Sequence, residues 1–182
     1  MNGKKLQGQV ALITGGARGL GRGYALHLAS LGADIAIIDR NLKGAEVYEF
    51  ERELMSAETV MAECEALGVR AMGLEVDLTD RDIAETAIVE IAEAMGRIDI
   101  AVCNAGGGTI RFADELEEGK GDGVDLNTTG TPADCPEDML RRVLDTNVMT
   151  CMYTCMAVAP YMKRQGGGKI ITVSSTAGLD AG

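Results

Sequence analysis

Five short apolar runs punctuate the chain, each ending where a polar or glycine-rich turn begins: QVALITGG at 9–16, ADIAIIDR at 33–40, VRAMGLEVDL at 69–78, RIDIAVCNAGGG at 97–108 and GKIITVSS at 168–175. Runs this short and this continuously apolar suit strands buried on both faces. Between them the apolar positions change period to threes and fours. Leu20, Tyr24, Leu28 and Leu31 lead to Gly32, Ile83, Ala87, Ile91 and Met95 lead to Gly96, and Met139, Val143, Thr146 and Thr150 open a long segment reaching about residue 165. These are amphipathic helices with glycine stops. Strands alternating with helices predict an α/β fold, a doubly wound parallel sheet of five strands. Right-handed crossovers set the strand order 3-2-1-4-5 and open a crevice at the carboxyl edge between strands 1 and 4.

Two segments exceed what that scheme needs. Residues 41–68 carry helical spacing through Val47, Phe50, Leu54, Val60, Met61, Cys64 and Leu67, so one long or broken helix is expected there. Residues 107–135 are rich in glycine, threonine and acids with weak periodicity, which predicts a loop insertion: either a solvated excursion or a lid over the ligand edge. The whole chain, 1–182, reads as a single domain.

Composition narrows the class. With 46% hydrophobic residues over 182 positions the chain can build a sizeable core, and no apolar run is long enough to span a membrane. The N-terminal stretch lacks a small-residue cleavage site, which places the protein in the cytoplasm. A net charge of −11 disfavours nucleic acid and acidic membrane surfaces as partners, so an anionic ligand must be held by local geometry. The five cysteines, Cys64, Cys103, Cys135, Cys151 and Cys155, form no Cys-x-x-Cys pair; Cys151 and Cys155 stand one helical turn apart and could hold a metal, but the lone histidine, His27, is far away in sequence, so reduced, mostly buried thiols are expected and no metal site is assigned.

Candidate chemistry begins at TGGARGLGRG, where a strand passes into a helix. Gly15, Gly19 and Gly21 let backbone N–H groups at the helix start approach an anion, and a pyrophosphate fits. The spacing is neither G-x-G-x-x-G nor a P-loop. Asp39, at the end of strand 2, can accept bonds from ribose hydroxyls and would repel a 2′-phosphate, which favours NAD over NADP. Arg18 and Arg40 pull the other way, because either guanidinium could pair with that phosphate.

TGGARGLG, Asp77 with Leu78, CNAG at 103–106, Asn147 within DTNV, and ITVSS occur in the order and on the elements of the short-chain dehydrogenase/reductase family, which the chain resembles from about Leu6 to Gly182. The resemblance implies a Rossmann-like dinucleotide-binding domain and hydride transfer between a nicotinamide and an alcohol or carbonyl substrate. It implies that Gly15, Gly19, Leu20 and Gly21 cradle the pyrophosphate, with Asp39 at the adenosine ribose and Asp77 with Leu78 at adenine; Arg18 is kept as a cofactor-binding candidate. Asn104, Ala105 and Gly106 would line the nicotinamide side. It further gives Asn147 a place in a proton relay through water, and Ser175 the hydrogen bond to the substrate oxygen.

The family's general acid is a tyrosine beyond that serine, in a Tyr-x-x-x-Lys pattern. None of Tyr24, Tyr48, Tyr153 and Tyr161 has lysine four positions later, and the sequence stops at Gly182. The expectation is therefore the cofactor-binding part of a dehydrogenase, lacking the last strands of the family fold and inactive alone. Two alternatives stay open: a short protein that binds dinucleotide or partner subunits, including a homo-oligomer, without turnover, and another Rossmann-like enzyme such as an S-adenosylmethionine methyltransferase. CNAG and VSS speak against the second.

Overall fold

A computed structural model describes residues 4–107 and 137–175; the 107–135 insertion, apart from Gly107, lies outside them. β1 (Val10–Thr14), β2 (Asp34–Asp39), β3 (Ala71–Glu75), β4 (Ile100–Cys103) and β5 (Lys169–Thr172) form one parallel sheet in the order β3-β2-β1-β4-β5. This is the expected doubly wound order.

Alternation along the central strands divides the interior in two. Val10, Leu12, Ala36, Ile38 and Ala101 point to one face, under α4 (Arg81–Met95) and α6 (Thr150–Arg164). Ala11, Ile13, Ile35, Ile37 and Val102 point to the other, under α1 (Gly19–Ser30) and α3 (Val60–Ala66). A period of two over a sheet covered on both sides requires apolar residues at every position, which is why these strands read as unbroken runs.

Two helical expectations need correction, and a third is narrowed to one of its two forms. In α1 the buried stripe is Gly21, Ala25 and Ala29, while Leu20 is 68% exposed. Small residues bring this helix close to the sheet, so its larger apolar side chains lie at the flanks. Residues 41–68 are the broken form of the two expected: a 3-10 turn at Gly44–Val47, then α2 (Glu49–Glu53) and α3. The Thr59 side chain restarts the chain as α3 by accepting the Ala62 N–H. The segment from Met139 is interrupted, because α5 (Glu137–Leu144) passes into α6 through a π turn at Asp145–Met149. One extra residue is absorbed there, which no period-of-four reading detects.

Candidate functional site

The site is built at the carboxyl edge where β1 parts from β4. After Thr14 the chain turns at Gly15, whose φ of +63° suits glycine, and its N–H donates to the Ile38 carbonyl at 2.7 Å. Gly19, with φ +52°, opens α1. A Cβ on Gly21 would collide with the Gly15 carbonyl oxygen, so only glycine permits this packing of helix against turn. No acidic side chain lies in the first turn of α1, and Arg18 at its N-cap makes no side-chain cap. The leading N–H groups are left to an external acceptor, the arrangement that receives a phosphate.

Asp39 joins this turn to β2. One carboxylate oxygen accepts the Ala17 N–H and the other the Asn41 N–H, both at 3.1 Å. The Arg18 guanidinium ion-pairs with Glu51 at 3.0 Å and stacks 4.3 Å from the centre of the Tyr48 ring. This Arg18 is committed to the α2 side of the turn. Asp77 holds a local turn, accepting from the Thr79 N–H and hydroxyl at 2.9 and 2.8 Å, and the Leu78 side chain packs in the core.

On the facing wall, the Asn104 amide donates to the carbonyls of Gly15 at 2.9 Å and Thr14 at 3.2 Å. The resemblance places Asn104 at the nicotinamide side, whereas Thr14, which orders it, is not singled out by the sequence. The Thr14 hydroxyl, fully buried, accepts the N–H groups of Asn104 at 3.1 Å and Ala105 at 3.0 Å, and donates to the Val102 carbonyl at 3.4 Å. One side chain thereby locks both walls of the crevice. Its only sequence signal is a hydroxyl placed at a strand end directly before a glycine turn.

Asn147 sits inside the π turn. Its side-chain oxygen accepts the Gly107 N–H at 2.9 Å and its amide donates to the Val143 carbonyl at 3.0 Å. The asparagine therefore ties the chain after β4 to the α5–α6 helix. Ser175 follows β5 in an exposed position, two residues beyond Val173, whose N–H donates to the Cys103 carbonyl at 3.0 Å. β1, β2 and β4 thus deliver Gly15, Gly19, Gly21, Asp39, Asn104, Ala105 and Gly106 to the carboxyl edge of the sheet, while Asp77 and Leu78 follow β3. A cavity of about 320 Å³ lies elsewhere, lined by Leu42, Lys43, Arg52, Met55, Ser56 and Glu58, and shares none of these residues.

The family model for short chain dehydrogenase matches residues 9–182. A cyclohexanol dehydrogenase from Rhodococcus sp. is 41% identical over 173 residues, an alignment covering 95% of this chain and 58% of the relative. Among solved structures, a short-chain type dehydrogenase/reductase from Mycobacterium marinum superposes with a TM-score of 0.75 at 30% identity, covering 100% of this chain and 61% of its own. A short chain dehydrogenase from Mycobacterium paratuberculosis bound to NAD superposes with a TM-score of 0.69 at 33% identity, covering 97% of this chain and 59% of its own. The chain spans somewhat more than half the length of the relatives it matches.

Proposed function

The chain belongs to the short chain dehydrogenase family, and from that premise we propose that it binds NAD in the β1–β4 crevice as part of an alcohol/carbonyl oxidoreductase of the cytoplasm. The observation that carries this reading is the pairing of an uncapped helix start behind Gly15, Gly19 and Gly21 with the Asp39 carboxylate beside it. The donor N–H groups fit a pyrophosphate and the carboxylate fits a ribose diol. Preference for NAD over NADP is supported by Arg18, which already pairs with Glu51 instead of facing a 2′-phosphate.

When bound, the nicotinamide supplies hydride exchange with the carbon bearing the substrate oxygen. Asn104, Ala105 and Gly106 form the wall beside it. Ser175 donates a hydrogen bond to the substrate oxygen, stabilising it as charge develops, and Asn147 orients water for proton relay. The 182 residues hold no Tyr-x-x-x-Lys, so by themselves they turn over substrate negligibly. Half-exposed Leu140, Leu144, Val148, Met152 and Met156, one every fourth residue along α5 and α6, support a homo-oligomer.

Calorimetric titration with each dinucleotide tests the reading. The chain should bind NAD more tightly than NADP, and Asp39→Ala should narrow the gap by roughly tenfold, the scale of one charged hydrogen-bonding group. Equal affinities in the parent would overturn the Asp39 assignment, and failure to bind either dinucleotide would overturn the crevice itself.

A further inference from the structure

Directly behind the Asn104 wall, three thiols converge. Cys103 is the last residue of β4 and is buried; Cys151 and Cys155 stand one turn apart on α6 and are partly exposed. The three sulfur atoms lie within 4.8 Å of one another, with Cys103 and Cys155 3.8 Å apart. Sulfurs bound to one tetrahedral zinc at about 2.3 Å stand about 3.8 Å from each other, so the Cys103–Cys155 spacing already matches and the third sulfur is within a small rotamer adjustment. Sequence spacing shows only the helical pair, Cys151 and Cys155 one turn apart; the third thiol comes from a strand far from the helix in sequence.

We propose that Cys103, Cys151 and Cys155 form a three-thiolate site for a divalent thiophilic cation, zinc by its charge and geometry. No carboxylate or imidazole among the described residues joins the cluster, which selects a soft cation over calcium or magnesium. Charge favours a divalent ion. Binding converts three thiols to thiolates and releases three protons to solvent, leaving a single net negative charge, whereas a monovalent ion would leave two in a part-buried setting. The partly exposed side of α6 leaves the fourth position to water. Filled, the site staples β4 to α6 one residue before Asn104, the residue that holds Thr14 and Gly15.

The test uses the full 182-residue chain, reduced and freed of metal. Titration with zinc against a chromophoric chelator should show one ion per chain, and cobalt should produce sulfur-to-metal charge-transfer absorption. Cys151→Ser and Cys155→Ser, each at a partly exposed position, should weaken zinc by at least about tenfold with the circular dichroism of the fold unchanged. Zinc should also raise the Tm of the parent chain but not of these variants. Absence of stoichiometric zinc binding, unchanged affinity in both variants, or cobalt spectra without sulfur bands would overturn the site. So would binding confined to monovalent copper.

Discussion

Thr14 has the greatest leverage of any single side chain at the site. Its hydroxyl is the shared partner of two part-buried N–H groups just past the end of β4, so removing it leaves both donors without their protein acceptor. Thr14→Val keeps the shape and should cost about 2 kcal/mol, the low end expected for two part-buried donors that lose their acceptor. Thr14→Ser should recover most of it. Chemical denaturation of the three chains is the measurement, and a Thr14→Val cost under about 1 kcal/mol would mean that the strand ends relax freely. This role was legible only in part. The sequence marks a hydroxyl before the glycine turn, but its partners lie 90 and 91 positions away and become neighbours only once β4 docks beside β1.

Between elements, α1 and α3 are held by a buried ion pair. The Arg22 guanidinium donates twice to Glu63 at 2.7 Å, and Ser56 adds its N–H and hydroxyl at 2.7 Å. Burial pushes the Glu63 carboxyl up, but the Arg22 hydrogen bonds and then Ser56 outweigh it, leaving the group below its ordinary value of 4.5. A carboxylate lowered on folding contributes stability that is complete above the unfolded value and lost as pH falls through the folded one. Unfolding midpoints should therefore drop below pH about 4.5 with a component that Glu63→Gln removes. At neutral pH that variant should cost about 2–3 kcal/mol, discounted for the partial exposure of Arg22. Neither residue stood out in the sequence. Arg22 lies in the TGGARGLGRG stretch with nothing to mark its partner, and the helical spacing of residues 41–68 leaves open a long or a broken helix, so it does not fix the meeting of Ser56 with Glu63.

Across the whole molecule, the strand order was legible because the central strands β1, β2 and β4 are continuous apolar runs and α1, α3, α4 and α6 are each followed within two residues by glycine. The direction of helix faces was less so, since in α1 close approach selects glycine and alanine over leucine. Along α5 and α6, four steps of four residues would wind a stripe about 160° around a regular helix; the extra residue of the π turn reduces that drift to about 60°. Leu140, Leu144, Val148, Met152 and Met156 are thereby kept toward one side, and each is half exposed. Sedimentation should show concentration-dependent association that Val148→Glu with Met152→Glu abolishes, and a strictly monomeric parent chain would remove the stripe as an interface. The pairing of β1 with β4 has a further consequence, for the order of events in folding. β1 meets β2 at Val10 and Asp34, but meets β4 at Ala11 and Ile100, enclosing almost four times as much chain. Closing the longer loop costs about 1 kcal/mol more entropy before any contact rewards it. The first three strands can collapse among themselves, and the crevice acquires its second wall only when the most distant partner arrives.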